Sequence, residues 1–168
     1  MNKVFEGKHV VVFERDGWEY VERKKSTEAV AVVAITRDDE VILTEQYRRA
    51  VDARVIDWPA GLVGDEGNDD PAGTAKKELE EETGFRCTTV ERLARGPSSP
   101  GITSEIVTFY RASGLERVSQ GGGVGGEEIE VHLVSRSELL GWLGAKEEAG
   151  VLVDLKVWGG LYLILPST

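Results

Sequence analysis

The sequence predicts an α+β fold in which a mixed β-sheet lies in an α/β/α sandwich, preceded by an N-terminal β-hairpin extension. Three observations predict it. Apolar–polar alternations and β-branched runs recur along most of the chain, one segment carries complete helix start and stop signals, and strands and helices follow one another without regular βαβ alternation.

A chain of 168 residues with 40% hydrophobic content is sized for one domain, here 1–168, and can bury a core. The stretch "VFEGKHVVVFERDGWEYVERKK" alternates around Asp16-Gly17, a hairpin signal that predicts two strands within 1–27, with Trp18 and Tyr20 on one face. "AVAVVAI", Ala29 to Ile35, suits a strand buried on both faces, and with "VILTEQY" beyond "TRDDE" it predicts a second hairpin. "VIDWPAGLV" predicts a short strand broken by Pro59 and Gly61, and "GDEGNDDP" a polar loop.

Asp70 as N-cap and Pro71 at the first helical position open a helix that runs to about Thr83, where Gly84 supplies the left-handed end. Ala75 and Leu79, four apart, face the sheet. "CTTVERLAR", "EIVTFYRA" and "EIEVHLV" predict further strands, with the loop "GPSSPGITS" between the first two. "SRSELLGWLGAKEEAG" predicts a serine-capped helix, and "DLKVWGGLYLIL" a last helix that crosses Gly159-Gly160. "QGGGVGG", Gln120 to Gly126, predicts a mobile loop rather than a domain linker.

Thirty acidic against twenty basic residues give a formal net charge of -10, which argues against a general nucleic-acid binder and leaves room for a phosphate substrate held by local cations. The one cysteine, Cys87, forms no intramolecular disulfide. With no signal-like N-terminus and no apolar run long enough for a bilayer, the expectation is a cytoplasmic protein without a membrane partner. His9 and His132 are read as too far from any other metal-type residue to suggest a zinc site, and no serine-nucleophile motif occurs.

The chemistry concentrates in "KKELEEETGF", Lys76 to Phe85, with four glutamates in five positions. On a helix Glu78 and Glu82 project from one face, Glu81 lies beside them and Glu80 points elsewhere. Converging carboxylates repel, and the helix C-terminus makes negative charge less favourable still. A divalent cation resolves both, and an oxygen-only set with room for water and phosphate suits magnesium better than calcium. A solvated acidic helix face would produce the same run.

The longer stretch "PAGLVGDEGNDDPAGTAKKELEEETGF" resembles the Nudix hydrolase signature, GX5EX7REUXEEXGU with U apolar, over about 61–85. Glu78, Leu79, Glu81, Glu82, Gly84 and Phe85 match its second half. In the first half Lys77 stands at the signature arginine, Asp69 at its first glutamate and Val63 at its first glycine, while Gly61 lies two residues early, as though the loop were two residues longer. A lysine keeps the charge of that arginine and loses its planar fork. The resemblance implies a Nudix α/β/α sandwich, Glu78 and Glu82 as principal magnesium (or manganese) ligands, Glu81 as a further ligand or orienting group, and the Ala60 carbonyl completing the shell.

"GWEYVERKK", "TEQYRRAV", "WPAGLV" and "SSPGITSE" look like the ADP-ribose pyrophosphatase branch. That likeness implies hydrolysis of ADP-ribose to AMP and ribose 5-phosphate by a homodimer whose N-terminal hairpin crosses to the partner. Trp18 would stack on adenine and Glu19 bind its edge. Arg23 and Arg48 would hold the diphosphate and ribose, Ser104 and Glu105 would line the site, and Glu127 would be the catalytic base on a loop made flexible by the glycines before it. Trp18 as an ordinary strand aromatic is the simpler alternative. Other substrates in view are ADP-glucose, GDP-mannose and CDP-choline, and a rival of another class is a Nudix sensor that binds such a ligand without turnover.

Overall fold

The computed structural model describes residues 1–26, 28–64 and 70–164. Strand β4 (Glu28–Ala34) is its centre, and its sequence explains why. Every residue from Val30 to Ala34 is fully buried, and the period-2 alternation sends successive side chains to opposite faces. Val30, Val32 and Ala34 pack toward helix α1 (Pro71–Thr83) with Ala75 and Leu79. Ala31 and Val33 pack toward helices α2 (Leu139–Glu148) and α3 (Leu155–Ile164), with Leu139, Leu143 and Val157. One run of small and β-branched residues thus makes the middle layer of an α/β/α sandwich, as predicted.

The middle layer is two four-stranded sheets. One orders β7 (Ala60–Leu62), β4, β10 (Ile106–Ser113) and β9 (Thr89–Pro97), with β10 parallel to β4 and the other pairings antiparallel. The other orders β12 (Ile129–Ser135), β5 (Glu40–Arg48), β6 (Ala53–Asp57) and β13 (Leu152–Val153), with β13 parallel to β6. The hairpin expected from β4 and β5 is therefore replaced by a parting of strands. They share the isolated bridge Ile35–Val41 and the Thr36 N–H to Glu40 carbonyl bond (2.9 Å), then enter different sheets. The reason is that β4 needs partners on both edges, and β10 and β7 supply them.

The N-terminal region exceeds its predicted hairpin. β2 (Val10–Arg15) and β3 (Trp18–Arg23) turn at Asp16-Gly17 as expected, both with positive φ, and β1 (Asn2–Glu6) adds a third strand beside β2. This sheet joins the rest through β3, where the Val21 N–H donates to the Ile102 carbonyl at 2.8 Å. A two-stranded piece, β8 (Phe85–Arg86) with β11 (Glu116–Arg117), was too short to show as a pattern.

The ends of the helices follow elementary capping chemistry with one exception. The Asp70 carboxylate accepts from the N–H groups of Ala72 and Gly73, and Gly84, at φ 75°, closes α1 with its N–H on the Glu80 carbonyl. The predicted serine cap of α2 is absent: Glu138 occupies that position without a side-chain bond, and Ser135 and Ser137 pair with each other at 2.9 Å. α3 forms across its glycines because Gly160 lies against Trp58. A Cβ there would meet the indole nitrogen at 2.3 Å, so the glycine sets how closely the helix packs. Among the described residues no helix is long and apolar enough to cross a membrane.

Candidate active site

A cleft of about 1080 Å³ opens between the end of β5, the β6–β7 turn, α1 and the loop after β11. Glu78, Glu81 and Glu82 line it from α1, as the helical spacing requires, and Glu80 turns away to Arg86, with contacts of 2.7 and 2.8 Å. The three cleft glutamates are not equivalent. Glu82 is 7% exposed, and its Oε2 accepts the Ala60 N–H at 3.0 Å. Burial, with the like charges of Glu78 and Glu127, pushes its carboxyl up to about 8 against that hydrogen bond and the Arg48 charge. Glu81 pairs with Lys77 at 3.4 Å, so the lysine at the signature's arginine position does reach a box glutamate, as a single point charge.

Gly61 explains the backbone beneath Glu78. A Cβ on Gly61 would stand 2.0 Å from Glu78 Oε1, so the absence of a side chain lets the carboxylate lie against β7. Ala60 is beside the same group, and its N–H is the atom that touches Glu82. This set fits a hard divalent cation. It offers carboxylate oxygens, a cradle that a side chain would fill, and a buried acid that is ionised only at a cost unless positive charge is near. Asp69, aligned with the signature's first glutamate, lies outside the described residues.

Arg23, Arg48, Glu105 and Glu127 also line the cleft. The Arg48 side chain makes no hydrogen bond or ion pair among the described residues, which leaves its guanidinium donors for a ligand. Arg23 is held by Glu105 at 3.1 Å, and Glu105 also accepts from the Ser98 hydroxyl at 2.9 Å. The Ser104 hydroxyl is buried and without a partner among the described residues. Trp18 and Glu19 are exposed on β3 and do not line this chain's own cleft. Trp18 is 60% exposed, so it is no core aromatic.

Sequence reasoning missed two groups. On the cleft wall, burial pushes Asp57 up to about 6, and Lys156 bridges it (3.0 Å) to Asp154 (2.6 Å). Its members come from β6, the residue before α3 and α3 itself, and no spacing in the sequence links Asp57 to the other two. The second corrects the view of His132 as remote from other metal-type residues: it meets Glu45 at 2.9 Å and lies 3.8 Å from Glu130. Glu45 is already held by Lys146 at 2.7 Å and by Arg54, so cations of the chain itself fill this acidic pocket.

The NUDIX domain family model matches residues 25–156. The chain is similar to a methanol dehydrogenase activator of Bacillus methanolicus, 40% identical over 101 residues, covering 60% of this chain and 54% of that one. It is similar to an ADP-ribose pyrophosphatase of Mycobacterium tuberculosis, 32% identical over 121 residues (72% and 54%), and to a GDP-mannose pyrophosphatase of Cronobacter sakazakii, 35% identical over 135 residues (75% and 67%). It thus spans about half to two thirds of the length of these curated relatives. A solved structure of an ADP compounds hydrolase shares the fold, with a TM-score of 0.65 at 23% identity over 83% of this chain and 80% of that one. A family match over most of the chain, on a sandwich whose α1 carries the glutamate run into a cleft, leads to one conclusion: the chain belongs to the Nudix family.

Proposed function

We propose that the chain hydrolyses the diphosphate bond of a nucleoside diphosphate derivative, with ADP-ribose as substrate and AMP and ribose 5-phosphate as products. The observation that carries this reading is the cleft itself, which three box glutamates and Glu127 line together with Arg23 and Arg48. Acidic groups for a cation and guanidinium groups for phosphate are what a magnesium-assisted diphosphate cleavage needs around one substrate. The relative named ADP-ribose pyrophosphatase supports the choice of substrate, and the GDP-mannose pyrophosphatase makes that sugar nucleotide the alternative.

Glu78 and Glu82 would hold the magnesium ion, with Glu81 beside them and Ala60 at the edge of the set. When bound, the cation neutralises charge on the diphosphate oxygens and makes water a better nucleophile. Arg48 and Arg23 orient the diphosphate and ribose, with Ser104 and Glu105 beyond them. Glu127 takes the proton of the attacking water, and the phosphoanhydride oxygen leaves with one of the two monoesters. The N-terminal sheet exposes Trp18, Phe5 (58%) and Val4 (53%), an apolar set suited to a second copy. In such a homodimer Trp18 and Glu19 serve the adenine of the partner's cleft. The acidic net charge accords with a small-molecule substrate rather than nucleic acid, and the absence of a long apolar helix among the described residues accords with a cytoplasmic setting away from membranes.

The test is a panel of ADP-ribose, ADP-glucose, GDP-mannose and CDP-choline incubated with magnesium, products separated by chromatography. AMP and ribose 5-phosphate are expected from ADP-ribose. Turnover of GDP-mannose alone would move the substrate, and binding of ADP-ribose without turnover of any member would make the protein a sensor.

A further inference from the structure

The glycines before Glu127 read as flexible in sequence, yet Gly122 and Gly123 are bonded to α1 and Gly121 lies against its backbone. The last turn of a helix leaves carbonyls without partners. Here the Gly122 N–H donates to the Glu82 carbonyl at 2.8 Å and the Gly123 N–H to the Glu81 carbonyl at 3.1 Å. Just upstream, the N–H groups of Val118 and Ser119 both reach the Gly84 carbonyl, at 2.8 and 3.2 Å. The segment is laid across the end of the helix that carries the box glutamates.

That approach has no room for a side chain at Gly121 or Gly123. A Cβ on Gly121, whose φ is 72°, would meet the Thr83 carbonyl carbon at 2.4 Å, the Glu82 carbonyl oxygen at 2.6 Å and the Gly84 nitrogen at 2.7 Å, all backbone atoms that cannot turn aside. A Cβ on Gly123 would meet Glu127 itself, at 2.7 Å from Oε2 and 2.8 Å from its Cβ. The loop beyond is closed at its base by the Ile129 N–H on the Gly122 carbonyl (3.3 Å), and Glu127 Oε2 accepts the Val124 N–H at 3.2 Å. Gly125 and Gly126 also have positive φ, 66° and 93°, but a Cβ on either would meet nothing within 4 Å.

We propose that Gly121, Gly122 and Gly123 are positioning residues: a strap docked on the α1 carbonyls that fixes where Glu127 stands relative to Glu81 and Glu82. This rests on the reading of Glu127 as the catalytic base. The strap contacts the carbonyls of Glu81 and Glu82, two of the three glutamates whose side chains enter the cleft, so the base and these carboxylates share one rigid reference.

The experiment compares Gly121→Ala, Gly123→Ala and Gly125→Ala on ADP-ribose with magnesium, each alone and combined with Glu127→Gln. Gly121→Ala and Gly123→Ala should lower kcat about tenfold or more with KM within about twofold, since a displaced base leaves substrate binding intact. Gly125→Ala, with strain but no collision, should keep kcat within about twofold. In the Glu127→Gln background the Gly121 and Gly123 changes should cost nothing further, because the group they position is gone. A loss in Gly125→Ala equal to that in Gly121→Ala would make flexibility, not docking, the role of the glycines, and a loss persisting in full beside Glu127→Gln would place the effect elsewhere; either overturns the strap. Thermal melting of each variant identifies a Gly121→Ala chain that has failed to fold, in which case Gly123→Ala, whose collision is with a side chain, decides alone. Glu127→Gln by itself separates the two failures: unchanged turnover removes the base, whereas a large loss beside inert glycine variants removes only the strap.

Discussion

Glu45 and Glu82 are both buried glutamates, 3% and 7% exposed, and the protein treats them in opposite ways. Around Glu45 it gathers Lys146, Arg54 and His132, whose hydrogen bonds outweigh burial and hold the carboxyl down at about 2. Around Glu82 burial is met by a single backbone N–H and the charge of Arg48, two more carboxylates stand near, and the carboxyl rises to about 8. The first is a finished ionic structure, with the Trp142 ring tilted against His132 and under the Lys146 ammonium. The second is incomplete within the chain. A buried acid whose charge the fold does not compensate marks a place where something outside the chain supplies it.

The strongest way to break the comparison is to neutralise each residue. Glu82→Gln should lower turnover on the order of 10³-fold, as expected for a group that stabilises developing charge, while leaving melting of the metal-free protein unchanged or higher. Steady-state kinetics and a thermal melt in chelator check both halves. Glu45→Gln should do the reverse. It leaves Lys146 and Arg54 without their carboxylate, and a loss of about 2 kcal/mol in chemical denaturation is expected, below the figure for a fully buried pair because both cations are partly exposed, with kcat of the folded protein retained.

Opposite pKa shifts also give opposite pH windows. Glu82 is raised from 4.5 to about 8, so its contribution to the metal-free fold is present in acid and lost as pH rises through that range. Glu45 is lowered from 4.5 to about 2, so its contribution is present above that range and lost as pH falls through it. The gain in melting temperature from added magnesium should therefore be larger at about pH 8 than at about pH 6 in wild type, and Glu82→Gln should abolish that difference. The smallest effect belongs to Lys77→Ala. Its pair with Glu81 is a half-exposed contact four residues apart, and a change below about 0.5 kcal/mol in denaturant melts is expected.

What could be read beforehand follows from how local the signal was. Asp70, Pro71 and Gly84 bracket α1 by capping chemistry that acts over a few residues, and the spacing of Glu78, Glu81 and Glu82 was legible for the same reason. The partners of Glu45 were not legible, since Arg54, His132 and Lys146 come from β6, β12 and α2 and meet only in the tertiary structure. Sheet membership failed similarly. The turn between β4 and β5 looks like a hairpin because turn residues describe the turn, while the choice of neighbours is made by β10 and β7 across long stretches of chain. Counting placed Gly61 two residues early against the signature; its steric meaning appears only when Glu78 lies against it.

The parting of β4 and β5 has a mechanical consequence. The two sheets meet at the Ile35–Val41 bridge and diverge until Ala29 and Val30 stand on one wall of the cleft and Gln46 and Arg48 on another. A molecule gripped by both walls becomes a further member of a truss whose other members are that bridge and the two cores the sheets share. Load is then shared by the ligand, so the 35–41 turn should stiffen, slowing amide exchange at Thr36 and Val41, whenever both walls are occupied.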